Sequence, residues 1–325
     1  MARLFRGHIK FNMIESIGAN LGFGDFQMPW GQSPGKGYAK RFFVDPTNGS
    51  DSNDGRSWRY PFATFEKGID SCRFPHGETS LDYDDKSVRS FLFLAPGHYN
   101  EGAEMLFSGY NISVIGCGIP VPGKDYGVSI NYDGATAATA AMGFSGSGIE
   151  ICGLHIYCAE AIPAFLIAGG DNNYIHDCVI ECDGTNATYG IHANSMKGSW
   201  IERVTICGSK TAAIYMDGGA DRYCIDGGIR DCRLYSGSEN TTGILLDVDM
   251  TCHNFWVDRN LVALSNGSSC KGIDINATGG VCVVDNYVSV PASATPIEHA
   301  GGDQFLMGNH TAAGTVNVDP NPAAG

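Results

Sequence analysis

From about residue 150 onward the chain repeats a short pattern: an apolar residue, two intervening positions, a bend residue, one position, and a second apolar residue. It occurs at Ile151/Leu154/Ile156, Ile175/Cys178/Ile180, Ile201/Val204/Ile206, Ile229/Cys232/Leu234, Val257/Asn260/Val262 and Val283/Asn286/Val288. Successive first members lie 24, 26, 28, 28 and 26 residues apart. Between them runs a second column, usually opened by glycine: Gly190-Ile191-His192-Ala193-Asn194, Ala213-Ile214-Tyr215-Met216-Asp217, Gly243-Ile244-Leu245-Leu246-Asp247 and Gly272-Ile273-Asp274-Ile275-Asn276. Each repeat therefore holds at least two short strands of alternating residues separated by Gly/Ser/Asn/Asp turns, and no helix fits inside one. A period of this size built from short strands predicts the coil of a parallel β-helix, with like residues stacked about 4.8 Å apart.

Charge gives an independent check on that register. Two residues after each first apolar position stand Asp177, Arg203, Asp231, Arg259 and Asp285, alternating in sign over five coils. One residue after it stand His176, Glu202, Arg230 and Asp258, a second alternating run when His176 is counted as basic. Opposite charges on adjacent coils attract by roughly 0.2–1 kcal/mol per exposed pair, so stacking in this register is favoured over slipped ones. In the bend column, Asn260 and Asn286 predict an asparagine ladder satisfying backbone groups that the bend leaves unpaired. Cys178 and Cys232 fall two coils apart, about 9.6 Å on the strand spacing, too far to bridge. The twelve cysteines are accordingly expected to be reduced core or bend residues, a local pair such as Cys152 with Cys158 being the alternative.

Composition excludes several classes. Hydrophobic residues make up 43% and charged residues 17%, which supports a large core and rules out a disordered chain. With 44 glycines and 13 prolines in 325 residues, a turn-dense β architecture is favoured over a helical bundle. A net charge of −14 opposes a phosphate backbone, so no nucleic-acid partner is expected. The opening residues contain no apolar signal core and no run of 18 apolar residues occurs, so neither secretion by a signal peptide nor a membrane partner is expected.

Before the repeats, Phe42-Phe43-Val44-Asp45-Pro46-Thr47-Asn48-Gly49-Ser50-Asp51-Ser52-Asn53-Asp54-Gly55 is followed by Trp58, Pro61-Phe62 and Thr64. This stretch resembles the entry motif of the pectate-lyase-like single-stranded right-handed β-helix superfamily, closely over residues 42 to about 72 and elsewhere through coil periodicity alone. Pro61 and Thr64 are expected to open a helix with Phe62, Phe65 and Ile69 on one face, plugging the open end of the stack. Phe91 to Tyr99 reads as the first coil strand and Ile112 to Gly116 as the next, giving about eight coils and near 40 Å of stack. The expected organisation is an all-β, right-handed parallel β-helix at 91–310. An arm for attachment and oligomerisation precedes it at 1–41, a capping segment with a short helix lies at 42–90, and a polar tail at 311–325 leaves the last strand edge open.

The superfamily includes polysaccharide lyases and hydrolases, which implies a search for their strings. Pectate lyases resembling this fold commonly carry Trp-Ile-Asp-His, whereas this chain has Trp200-Ile201-Glu202-Arg203. Polygalacturonase-like hydrolases carry Asn-Thr-Asp, Asp-Asp and Gly-His-Gly; here Asp84-Asp85 is the only such doublet, and no Gly-His-Gly exists. Neither family's site transfers, and no catalytic residue is assigned. Glycoside cleavage needs two carboxyls about 5 to 9.5 Å apart, and the best pair is Asp217 with Asp247, on successive coils between Asn194 and Asn276. With His192 and Tyr215 they form a candidate glycan- or cation-binding group, weighed against ordinary Asx turns at strand ends. The oxygen-rich loop Asp45 to Asp54 lacks the closing glutamate of an EF-hand and reads as a structural turn rather than a calcium site. Tyr174, Trp200 and Trp256 share one column position and are candidate aromatic platforms for sugar rings, with packing as the competing role.

The chain resembles the β-helix proteins of phage surfaces, and by that analogy a β-helix with an arm, a cap and no catalytic string implies a non-enzymatic surface protein of a virion: a bacteriophage head-decoration, fibre or spike component. It would be a homo-oligomer, with a trimer favoured, attached to a capsid or tail protein through residues 1–41 and contacting host polysaccharide. No cofactor is expected, calcium being the one ion considered. The competing classes are a polysaccharide lyase or glycoside hydrolase on the same fold and a self-assembling extracellular surface module.

Overall fold

From Gly153 to Gly308 the left-handed backbone conformation recurs at one corner in each successive coil, and a second left-handed column runs through Asn111, Gly148, Asn172, Gly198, Asp226 and Asn254. In the first column Asp177, Arg203, Asp231, Arg259 and Asp285 have φ between 51° and 55°, and Gly153 and Gly308 continue it below and above at φ 73° and 68°. At this corner the chain leaves one parallel sheet and enters a second, so the pattern that reads in sequence as one bent strand is two strands in two sheets. A side chain is most readily accommodated in this conformation when it is Asp, Asn or Gly. At Gly308 a Cβ would fall 2.0 Å from Asp285 Oδ1, the end of a side chain that can turn aside, so it is the left-handed φ that favours glycine there.

The computed structural model describes residues 40–73, 89–118, 127–134, 138–183, 186–217, 222–239, 241–247, 250–299, 304–311 and 314–318. Each of about eight coils contributes one strand to each of three parallel faces. The first sheet runs through Lys40–Val44, Ser90–Leu94, Ile112–Gly116, Glu150–Cys152, Tyr174–His176, Trp200–Glu202, Tyr223–Arg230, Thr251–Asp258, Thr278–Val284 and Phe305–Thr311. The second includes Gly97–Glu101, Val128–Tyr132, Leu154–Cys158, Val179–Cys182, Thr205–Cys207, Arg233–Ser236, Leu261–Leu264 and Tyr287–Ser289. The third is a separate eight-stranded sheet from Met105–Phe107 to Thr295–His299.

The predicted register holds throughout. Ile151, Ile175, Ile201, Ile229, Val257 and Val283 are successive cross-strand partners, and Leu306 extends the column. Ile191, Ile214, Ile244, Ile273 and Ile297 do the same in the third sheet. All three faces point their apolar columns into one core, where each fully buried Ile or Leu side chain contributes roughly 1.5–3 kcal/mol. Inside the third sheet Phe107, Phe144 and Phe165 stack with centroids 5.4 and 5.6 Å apart.

Buried asparagines stitch the corner. Asn260 Nδ2 donates to Ile229 O (3.0 Å) and to Asn286 Oδ1 (3.0 Å), and Asn286 Nδ2 donates to Val257 O (2.8 Å). Asn309 adds a rung absent from the expected pattern: its Oδ1 accepts from Asn286 Nδ2 at 2.9 Å. All twelve cysteines are free thiols, buried or half-buried, and Cys152 and Cys158 do not bridge. Burial pushes the thiol pKa values of Cys178 and Cys232 up to about 12.

At the N-terminal end the helix spans Phe65–Arg73, starting later than Pro61. Asp51 explains the start. Its Oδ1 accepts from the Ala63 and Thr64 amides (2.9 and 3.0 Å), its Oδ2 accepts from Thr64 Oγ1 (2.9 Å), and Thr64 Oγ1 caps the Lys67 amide (3.2 Å). Phe62 stays outside the helix, bridged to Val44. Phe65, Ile69 and Cys72 are buried, and Phe65 meets Tyr99 and Phe107 under the first coil, so the helix plugs the stack as expected. Within the turn, Asp45 accepts from the amides of Thr47 and Asn48 (2.9 and 3.0 Å) and from Asn48 Nδ2 (3.0 Å). Its oxygens are thus used in shaping the loop.

Two boundaries differ from the expectation. The first strand begins at Lys40, inside the stretch assigned to the arm; residues 1–39 lie outside the described residues, as does the Asp84-Asp85 doublet. At the other end Gly314–Val318 forms a strand antiparallel to Phe305–Thr311, so the edge expected to stay open carries one more strand.

Candidate functional site

On the outer side of the third sheet, Tyr189–Ala193 and Ala212–Met216 lie side by side, with Thr242–Leu246 next. His192 and Tyr215 are cross-strand partners pointing away from the Ile191/Ile214 core column. The strand exits carry Asn194, Asp217, Asp247 and Asn276, whose amides donate to Ile167, Ala193, Met216 and Leu246 carbonyls one coil below. The structure thus brings His192, Tyr215, Asp217 and Asp247 together. Tyr215 Oη lies between the carboxylates, 3.2 Å from Asp217 Oδ1 and 2.7 Å from Asp247 Oδ2. Arg222 Nη1 pairs with Asp217 Oδ2, and His192 Nε2 stands 3.4 Å from the same oxygen.

Burial, then the hydrogen bond to Asp247, pushes the Tyr215 phenol well above its ordinary pKa. Burial outweighs the Asp217 carboxylate and lowers the pKa of His192, favouring a neutral imidazole. Tyr189 joins the group, stacked on Tyr215 (4.8 Å) and tilted against His192 (5.2 Å), while His192 stacks on Tyr215 at 5.0 Å. Rings piled in this way cover one another's faces and offer mainly edges, hydroxyls and the carboxylate rim to a ligand. Asn194 Oδ1, a buried atom at the neighbouring strand exit, has no hydrogen-bond partner among the described residues. Among the described residues, no group of three or more His, Cys, Asp and Glu has the arrangement of a metal site.

The first sheet carries a different outer face. Tyr174, Trp200, Gly228 and Trp256 are successive partners, so the expected aromatic column is interrupted by a glycine. Tyr174 is buried, stacks on His176 at 4.0 Å and donates from Oη to Glu202 Oε2 at 2.5 Å. Arg230 covers the Trp200 ring at 4.4 Å. Neither ring is open as a sugar platform. Trp256, 38% exposed, is the candidate of the three with accessible surface.

Around these rings the charges close on one another. Glu150 accepts from Arg89 Nη1 (2.9 Å) and from Ser113 Oγ (2.6 Å), and His176 Nε2 stands 3.4 Å from it. Despite its burial, Glu150 is held below the usual carboxylate pKa by His176, Ser113 and Arg89. Arg203 grips Asp177, Arg259 grips Asp231, and Arg230 Nη2 donates to Glu202 Oε2 at 2.7 Å. In the second run His176 pairs with Asp177 (2.7 Å) rather than with Glu202, and Asp258 pairs with Arg259 rather than Arg230. Tyr189, Arg222 and Arg89 are members of these groups that sequence reasoning missed. Tyr189 had a readable signal, since it directly precedes the glycine that opens its strand.

No protein-family model matches the chain, and no curated protein matches its sequence. Among solved structures it is similar to pectate lyase Pel9A (13% identity over 90% of this chain and 83% of that one, TM-score 0.49). It is also similar to a pectin methylesterase in complex with a hexasaccharide (11%, 88% and 93%, TM-score 0.43). A third similar structure is ORF18 of Geobacillus virus E2 (10%, 83% and 60%, TM-score 0.43). By its own strand topology the chain is an all-β parallel β-solenoid of about eight turns.

Proposed function

We propose that the chain is a structural component of a virion surface, a head-decoration, fibre or spike protein, whose third-sheet site binds glycan without cleaving it. The observation that carries this reading is the Tyr215 hydroxyl, seated between Asp217 and Asp247 at 3.2 and 2.7 Å. Glycoside cleavage requires the space between two carboxyls for the scissile oxygen or an attacking water. Here a phenol fills it, and Arg222 holds one of the carboxylates. Hydroxyl, imidazole and carboxylate edges on a rigid sheet suit hydrogen bonding to a sugar. The virion setting joins this face to an acidic rod preceded by residues 1–39, which we assign to attachment on a capsid or tail protein and to trimer formation.

A panel of bacterial capsular and exopolysaccharides tests the site. We expect binding without change in polymer length, weakened by Tyr215→Ala. Depolymerisation abolished by Asp217→Asn or Asp247→Asn would overturn the reading in favour of a hydrolase or lyase. Particle sizing with and without residues 1–39, which leaves the first strand intact, tests the assembly: a monomer in both cases removes the trimer.

A further inference from the structure

The second sheet carries on its outer face a group that neither the aromatic site nor the charge ladder uses. Ser129, His155 and Glu181 come from three successive coils, in Val128–Tyr132, Leu154–Cys158 and Val179–Cys182. Ser129 and His155 are direct cross-strand partners, and Glu181 pairs with Tyr157, two residues beyond His155 on the same face. Ser129 Oγ lies 3.5 Å from His155 Nδ1, and His155 Nε2 lies 3.2 Å from Glu181 Oε2. His155 is 8% exposed. Its Nε2 is shut off from solvent and sits off the line of a straight hydrogen bond to the carboxylate.

We propose that Ser129, His155 and Glu181 form a hydrolytic triad acting on small acyl esters of hydroxyl-bearing compounds such as O-acylated sugars. The order hydroxyl, imidazole, carboxylate is the one nucleophilic catalysis needs, and the roles follow from position rather than from chain order. The Ser129 to His155 distance is longer than a catalytic hydrogen bond, as is common before substrate tightens the site. Glu181 fixes the ring and stabilises the imidazolium. The rim is open: Tyr157 is 37% exposed, and Asn131, two residues after Ser129 on the same face, makes among the described residues a long 3.5 Å contact from Nδ2 to Asn100 Oδ1. We assign that amide to the developing oxyanion once substrate is seated.

In the first half-reaction Ser129 Oγ bonds to the acyl carbon while its proton passes to His155 Nδ1. The ester C–O bond then breaks and the departing alkoxide takes that proton, leaving an acyl-serine. In the second, water adds to the acyl carbon, gives its proton to His155, and the carboxylic acid departs as Ser129 recovers the proton. The balance is ester plus water to acid plus alcohol, with no further co-reactant.

The test uses the full chain with a fluorophosphonate probe and 4-nitrophenyl acetate. We expect the probe to label Ser129, as mapped by mass spectrometry, and ester turnover to fall about 10³-fold in Ser129→Ala and His155→Ala but not in Ser50→Ala. Glu181→Gln is expected to lower kcat about 10²-fold with KM unchanged, whereas loss of a merely structural glutamate would not give that split. Failure of the folded wild-type protein to label at Ser129, or turnover that persists in Ser129→Ala, overturns the proposal. The labelling result stands on the native chain even if a variant does not fold.

Discussion

Arg203 reaches down one coil and clamps Asp177 with two parallel hydrogen bonds, Nε to Oδ1 at 2.7 Å and Nη2 to Oδ2 at 2.8 Å, while both backbones are left-handed. Arg259 repeats the clamp on Asp231 at 2.9 Å twice. The two effects oppose each other. A left-handed backbone costs an ordinary L-residue about 1–2 kcal/mol, and an exposed ion pair returns about 0.2–1 kcal/mol; the arginine side chains are 44% and 52% exposed. Arg203→Gly is therefore expected to leave unfolding free energy within about 1 kcal/mol of wild type, whereas Arg203→Val, which loses the pair and keeps the strained backbone, costs about 1–3 kcal/mol. Urea unfolding of the two variants checks the ranking.

The same clamps set an acid limit. Arg203 and Arg259 hold the Asp177 and Asp231 carboxyls below their ordinary pKa. Their contribution is thus fully present above the unfolded carboxylate pKa and is lost as pH falls through the lower folded values. Stability measured from pH 5 down to pH 2 should fall less steeply in Asp177→Asn than in wild type.

Glu101 works in the opposite sense. Burial, with Glu66 and Asp51 nearby, pushes its pKa up to about 7. A raised carboxyl pKa costs nothing below the unfolded value near 4.5; the penalty grows between that value and 7 and is constant above it. Glu101→Gln is expected to stabilise the protein by about 1–2 kcal/mol at pH 8, discounted for partial exposure, and by nothing at pH 4. Denaturant curves at the two pH values decide it.

Asn286 is completely buried and satisfies groups on both neighbouring coils. Asn286→Leu strands the Val257 carbonyl and the Asn260 amide, and should cost about 2–4 kcal/mol in urea unfolding.

Tyr215→Phe removes the hydroxyl between Asp217 and Asp247. The hydrogen bonds to both carboxylates are lost, and the variant is expected to lose about 1–2 kcal/mol of stability. Urea unfolding at pH 7 checks it, and an unchanged midpoint would mean that the hydroxyl does not hold the pair.

What the sequence made legible was whatever repeats. The Ile151 to Val283 column, the Asp177 to Asp285 alternation and the Asn260/Asn286 pair all follow from one period, and each is in place. Asn309 was missed because it follows Asn286 by 23 residues, shorter than the intervals before it. The helix start was misplaced because the side chain that fixes it, Asp51, lies 13 residues from Thr64. Tyr174 and Trp200 looked like a platform because their column was visible, whereas Arg230 and Glu202, which close over them, act from neighbouring coils. Ser129, His155 and Glu181 share no residue type, so no column search joins them; only the cross-strand register does.

The strand Gly314–Val318 runs opposite to every strand of the stack it lies on. A further coil laid on it would meet donors and acceptors in the wrong polarity for parallel pairing. Parallel continuation of the stack is therefore disfavoured on this edge, and the strand works as a stop that the solenoid carries within its own fold.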